Sequence, residues 1–266
     1  MRPIKIYHEA PLSLFDKVQG VTDGDYALVH LLEQDKKYAA KFEKLSTKRK
    51  KDLILDNSAF ELGTAFDADR FAYWVDRLKP AVYVVPDVIG DSSSTLDAYS
   101  DWDMRYGSLP GRKMAVVQGK SAEEATNCFK ALKLLGADLI GIPALVGREW
   151  FVNVESSKPT PMDQMRRRVE LVHQIWDYCE RHPIHLLGTP VPQEGLFYSE
   201  MGWIESVDTS NPVVHGMFGI SYSPTGLHEK RSELLADLIH RDVNQAQEAL
   251  VFGNIAHFKQ FWRRYN

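Results

Sequence analysis

The chain has 266 residues, a formal net charge of -4 and 44% hydrophobic content, which suffices for one large core and suits a one-domain α/β barrel. This balance excludes a uniformly basic nucleic-acid coat, although local patches can still grip phosphates. The two cysteines, Cys128 and Cys179, exclude a disulfide framework and a Cys-rich zinc motif, and suit a reducing compartment.

The N-terminal residues MRPIKIYHEAPLSLFDK lack the apolar core of a signal peptide. No stretch approaches the roughly 18 continuous apolar residues of a membrane span. A soluble, cytoplasmic protein without membrane partners is expected. In chain order, short apolar runs rich in β-branched residues recur as IKIYH (4–8), YALVHLL (26–32), LILD (53–56), AVYVVPD (81–87), MAVVQG (114–119), LIGIPAL (139–145), HLLGTP (185–190) and SVDTS (206–210). Helical stretches separate them, as in βα units around a parallel sheet. Eight runs are what a closed barrel requires, and their near-continuous apolarity predicts strands buried on both faces. The expected fold is therefore an α/β, (β/α)8 TIM-like barrel, preferred to an open doubly wound sheet and read as a single domain over 1–266.

Between the runs, Ser121 and Glu124 form a capping box, with Ala122, Ala125, Phe129, Leu132 and Leu135 following at helical spacing and Gly136 as the stop. A second helix is predicted over 163–182, with Val169, Val172, Ile175, Trp176 and Cys179 along one stripe and Pro183 just beyond its end. Residues 147–162, with two prolines and two serines, predict a loop longer than a plain βα connection needs, a candidate lid.

Barrel enzymes carry their reactive groups at the C-terminal ends of the strands. Here those ends are Asp56, Asp87, Gln118 with Gly119, Gly141 with Pro143, Gly188 with Thr189, and Asp208. Carboxylates suit nucleophilic or acid/base work at a sugar carbon, a carboxamide reads donor and acceptor edges, and glycine admits a flat ligand to the backbone. Each group also has a plainer reading. Asp56 and Asp208 precede Asn, Ser and Thr and suit an Asx turn or helix cap; Asp87 suits a cap of the next helix. VVQGKS is not a phosphate loop, because Met114 stands where that motif needs glycine, and no GxGxxG follows a strand. His8, His30, His185 and His215 lack metal-ligand spacing and read as structural or solvated.

The ordered series DNSAF, VVPD, VVQG, LIGIP, LLGTP and SVDTSNP, over roughly residues 50–215, resembles the tRNA-guanine transglycosylase superfamily, which exchanges guanine in nucleic acid for a 7-deazaguanine. The resemblance implies a pentosyltransferase in which Asp208 attacks the ribose anomeric carbon and Asp56 is the general acid/base. Phe60 would stack on the base with Leu187 on its other face, and Asn57, Asp87, Gln118, Gly119, Gly141, Ile142 and Gly188 would line the base pocket. The chain departs from the family's tRNA enzymes in lacking the Cys-x-Cys-x-x-Cys and histidine of their zinc subdomain. DNSAFE also puts Ser58 and Ala59 in place of a glycine pair. It is more similar to the short phage and bacterial branch that acts on DNA. That implies DNA as the polymer, with tRNA as the alternative, a preQ0- or preQ1-type base, no cofactor or metal, the host cytoplasm if phage-encoded, and room for a homodimer. A catalytically silent partner subunit and an unrelated glycoside hydrolase are the competing readings. Retention of both Asp56 and Asp208 argues against the first, and Phe60 with Gln118 against the second.

Phosphate contacts are sought among Arg166, Arg167, Arg168, His228, Lys230, Arg231, Arg263 and Arg264, each of which also reads as a solvated helix face. The basic run Lys48, Arg49, Lys50 and Lys51 precedes a strand and belongs to the opposite end of the barrel.

Overall fold

The computed structural model describes residues 3–48, 52–144, 160–179, 182–198, 200–227 and 231–263. Eight parallel strands, β1 (Lys5–His8), β2 (Asp25–Leu28), β3 (Leu53–Asp56), β4 (Val82–Val84), β5 (Arg112–Val116), β6 (Leu139–Pro143), β7 (Ile184–Leu187) and β8 (Ile204–Thr209), form one sheet in the order β1-β8-β7-β6-β5-β4-β3-β2. A parallel bridge between Tyr7 and Gly24 links the two edges, so the sheet is nearly closed into a barrel. Glycine is required at that seam, because a β-carbon on residue 24 would lie 2.1 Å from the Tyr7 ring.

The helices between strands are α1 (Phe15–Gln19), α2 (Val29–Gln34), α3 (Lys36–Lys48), α4 (Ala59–Leu62), α5 (Ala68–Leu78), α6 (Ser92–Tyr106), α7 (Ala122–Leu134) and α8 (Pro161–Cys179), and α9 (Asn211–Met217) and α10 (Gln245–Arg263) follow β8. Side-chain caps start several of them. Asp67 accepts from the Arg70 amide ahead of α5, Asp91 from the Ser94 amide ahead of α6, and Ser121 from the Glu124 amide ahead of α7. Glu124 reaches back to the Lys120 amide at 2.7 Å, which completes a reciprocal cap. The buried stripe Phe71, Trp74, Val75 and Leu78 then seats α5 on the barrel. Among the described residues, no helix is long and apolar enough to cross a membrane.

Each of the eight predicted runs overlaps a strand, four of the strands starting one or two residues earlier, with two informative differences around them. The run 26–32 is a strand only to Leu28; Val29, His30, Leu31 and Leu32 are buried in α2 instead. A fully buried helix turn and a fully buried strand are both continuously apolar, so periodicity does not separate them. The second helix begins at Pro161 rather than Asp163, because Thr160 and Asp163 cap each other's amides. Of the predicted 147–162 loop, residues 147–159 lie outside the described residues, while 161 and 162 belong to α8.

Candidate active site

The register brings the strand-end groups to one rim. Leu28 pairs with Asp56, Tyr7 with Asp208, and Pro143 with Leu187 across neighbouring strands. At the end of β3 the chain turns sharply: Ser58 adopts a left-handed conformation, φ 59°, before α4 begins. For a side-chain-bearing residue this costs on the order of 1 kcal/mol. The turn aims the Ser58 amide back at Asp56 Oδ1, 2.6 Å away, while the Tyr26 hydroxyl donates to Asp56 Oδ2, also at 2.6 Å. Ser58 thus takes the conformation a glycine would take, and its buried hydroxyl accepts from the His30 amide.

Burial pushes the Asp56 carboxyl up to about 7; the charges of Asp208 and Asp87 add to that, against the downward pull of the bonds from Tyr26 and Ser58. Glu61, one turn further along, is pushed up to about 8 by burial and then by the charge of Asp56, and its Oε2 is buried without a hydrogen bond. Tyr26 is held far above its ordinary range by burial and by Asp208 and Asp56, so it donates to Asp56 as a neutral phenol.

Asp87 follows β4 and is buried between two carboxamides. Asn57 donates to its Oδ1 at 2.8 Å and Gln118 to its Oδ2 at 2.7 Å, while Gln118 Oε1 accepts from the Gly90 amide at 2.9 Å. Burial raises Asp87 above the usual carboxylate range and the two carboxamides oppose that rise. A carboxylate so held keeps acceptor capacity on both oxygens, and the Gln118 carboxamide nitrogen has two N–H donors, of which the bond to Asp87 uses one. Asp208, buried at the end of β8, accepts from His185 Nε2 at 2.9 Å and from the Gly188 amide at 3.0 Å, both on Oδ1.

Phe60 stands 56% exposed on α4. Leu187, half-buried at the end of β7, lies across the mouth from it, with three strands between them in the sheet order. Leu187 also covers Gly141, where a β-carbon would come within 2.8 Å of its Cδ1. The backbone there is already engaged: Gly141 O accepts from the Val117 amide at 2.9 Å, and Ile142 O from Arg168 at 3.2 Å, with the Ile142 side chain buried. Gly119 packs on the first turn of α7, where a β-carbon would lie 2.8 Å from the Ala125 amide nitrogen. Gly119 and Ile142 therefore support the wall more than they face a ligand.

The phosphate candidates divide. Arg168 is fully buried and forms a two-pronged ion pair with Glu194, at 2.7 Å for each prong, while also donating to the carbonyls of Ile142 and Leu187. It ties β6 and β7 to the 3-10 turn Pro192–Phe197 and is closed to phosphate, contrary to the sequence expectation. A basic residue in a run of three reads as solvated, and only its partner, 26 residues away, draws it inside. Arg231 is paired with Glu233 and lies 3.8 Å over the Phe218 ring. Arg263 is paired with Asp23, which also accepts from the Ile6 amide ahead of β2, so it sits toward the N-terminal end of the barrel. Arg166 is exposed near the start of α8, on the rim side, with Arg167 partly buried beside it. His228, Lys230, Arg264 and the basic residues Arg49, Lys50 and Lys51 lie outside the described residues.

Arg168→Met is expected to destabilise the fold by about 3–5 kcal/mol in chemical denaturation, because it strands the Glu194 carboxylate in the core. The double variant Arg168→Met, Glu194→Met should recover part of the loss; additive effects of the two substitutions would show that the pair is not coupled.

Tyr26, Glu61 and His185 join the candidate site without a signal in the sequence. Tyr26 is an interior residue of β2, Glu61 follows the rim aromatic without a motif of its own, and His185 lacks metal-ligand spacing, which reads as structural or solvated. His185 is fully buried against the candidate nucleophile. A small cleft lined by His8, Glu9, Tyr26, Leu28, Tyr38 and Ile239 adjoins Tyr26, to one side of the rim carboxylates. Among the described residues, no three His, Cys, Asp or Glu side chains are grouped to hold a metal ion.

The fold and rim define a (β/α)8 barrel whose C-terminal mouth holds three strand-end carboxylates, a further carboxylate on the first turn after β3, and a buried phenol and imidazole. Comparison with protein-family models and with curated proteins finds no match for this chain.

Proposed function

We propose that this barrel is a base-exchange transglycosylase that replaces guanine in DNA with a 7-deazaguanine of the preQ0 or preQ1 type, through a covalent glycosyl ester on Asp208. The observation that carries the reading is a division of labour between two carboxylates on one rim. Asp208 has one oxygen fixed by two N–H donors and the other without a hydrogen bond from the described residues, while Asp56 has a pKa of about 7, where it can both give and take a proton.

Asp208 Oδ2 attacks the anomeric carbon of the target nucleoside, and the bond to guanine breaks with its electron pair leaving on the base. Protonated Asp56 supplies the proton that the departing base takes up. The incoming deazaguanine then attacks the same carbon and loses its ring proton to Asp56, the ester bond breaks, and the carboxylate of Asp208 returns. Two displacements give net retention. When the ester forms, the negative charge of Asp208 is gone, and with it one of the charges that raises Asp56. Having given up its proton in the first step, Asp56 is thereby favoured in the ionised form at the point where it must act as a carboxylate.

Guanine's ring N–H and exocyclic amine match the acceptor capacity left on Asp87, and its carbonyl matches a donor from Gln118. Phe60 supplies a stacking face. Arg166 is the phosphate contact best placed on the rim side.

The test is incubation of the full chain with labelled preQ0 or preQ1 and single-stranded DNA, duplex DNA or tRNA. Incorporation into DNA is the expected result. Incorporation only into tRNA would overturn the polymer assignment, and none in any polymer would overturn the activity.

A further inference from the structure

Asp208 is held asymmetrically. Oδ1 accepts from His185 Nε2 at 2.9 Å and from the Gly188 amide at 3.0 Å, while Oδ2 accepts no hydrogen bond from the described residues. The orientation of His185 is itself fixed on three sides. Ser206 Oγ lies 2.7 Å from Nδ1, the Tyr26 ring stacks at 6.5 Å with 17° between planes, and the Tyr7 ring meets it edge-on at 6.2 Å. A carboxylate only accepts, so Nε2 carries a proton; in the neutral ring, Nδ1 then accepts from the Ser206 hydroxyl.

Resting on the transglycosylase reading, we infer that His185 and the Gly188 amide form an anion-holding pair that governs how fast the glycosyl ester on Asp208 is resolved, with His185 as a positioning residue locked by Ser206. In the first displacement the bond from Oδ2 to the anomeric carbon forms and the bond to guanine breaks. The charge of the carboxylate is quenched, and Oδ1 becomes the carbonyl oxygen of the ester. In the second displacement the bond between the anomeric carbon and Oδ2 breaks, its electron pair returns to the carboxylate, and negative charge reappears on Oδ1. The two N–H donors already point at that atom, so they stabilise the leaving carboxylate without reorganisation. The same donors stabilise the free carboxylate before attack, so they restrain the first step as they assist the second. Their effect is to shorten the life of the ester.

The variants that separate this role from packing are His185→Phe, which keeps a ring between Tyr7 and Tyr26 but removes the donor; Ser206→Ala, which frees the imidazole to turn; and His185→Gln, which restores a terminal N–H. Each full chain is mixed with preQ1 and the polymer the wild type modifies, quenched in denaturant, and assayed for exchange and for protein covalently bound to polymer, with its Tm recorded. His185→Phe is expected to lower exchange roughly 10- to 100-fold while the fraction of enzyme trapped as adduct rises severalfold. Ser206→Ala should move both readouts the same way by less, and His185→Gln should return both toward wild type.

Exchange and adduct falling in parallel in a folded His185→Phe, or neither changing, overturns the inference. If that variant does not fold, the ratio of adduct to exchange in Ser206→Ala decides by the same rule. A wild-type chain that gives neither exchange nor adduct overturns the transglycosylase reading and this inference with it. A wild type that exchanges alongside variants that do not accumulate adduct overturns the inference alone.

Discussion

Asp208→Ala is expected to abolish both base exchange and the covalent adduct, with a loss of roughly 10⁴-fold or more. The side chain supplies the only atom proposed to bond the sugar, and water cannot replace it without turning exchange into hydrolysis. The fold should survive the change. Asp208 is buried with its charge against two N–H donors, so alanine leaves those donors unpaired at a cost of about 1–3 kcal/mol, well below global unfolding for a core of this size. Gel analysis of quenched reactions checks the adduct and thermal melting checks the fold. An adduct that survives Asp208→Ala would move the nucleophile elsewhere on the rim, with Asp56, Asp87 and Glu61 as the carboxylates left to carry it.

Asp56→Asn is expected to lower exchange by roughly 10²- to 10⁴-fold, since the amide neither gives nor takes the proton. The wild type should also carry the signature of this group in its pH profile. The free enzyme needs Asp56 protonated for guanine to depart, so kcat/KM for the polymer should fall as pH rises through about 7. The glycosyl enzyme needs Asp56 ionised, and it has lost the Asp208 charge that raises Asp56. The kcat/KM for the incoming base should therefore hold to lower pH than a group titrating near 7 would allow. Asp56→Asn should remove the polymer limb.

The same shift has a sign in stability. A carboxyl raised to about 7 in the fold, against 3.8 in the unfolded chain, binds more protons folded than unfolded between those values. Stability therefore falls as pH rises across that window, by at most about 4 kcal/mol and by less where water reaches the group. Compared by melting at pH 5 and pH 8, Asp56→Asn should lose less than the wild type. A wild type as stable at pH 8 as at pH 5 relative to the variant would place Asp56 in an ordinary, solvated turn.

The strands were legible because a parallel strand buried on both faces has no choice but to be continuously apolar, and where a carboxylate or carboxamide stops such a run it marks the rim. LILD ending at Asp56 and IESVDT ending near Asp208 follow that rule. α7 was legible because its cap is local, Ser121 and Glu124 lying three residues apart. Arg168, in a run of three arginines, has the sequence context of a solvated face and lies inward. His185 showed nothing of its role, because its partner Asp208 is 23 residues away and reached only across the β7 and β8 pair.

What the chain determined by itself is the number of strands, the carboxylates and carboxamide that end several of them, and an overall charge that excludes a uniformly basic coat. These are properties of composition and short-range spacing, and they hold before any two distant segments meet. What only closure of the barrel decided is which oxygen of Asp208 is held, that Tyr26 and Ser58 bracket Asp56, that Asn57 and Gln118 both grip Asp87, and that Arg168 is withdrawn into the core. Apart from the Ser58 turn, those contacts join residues that short-range spacing does not connect, and burial raises or holds their charges only once water has been excluded from the rim.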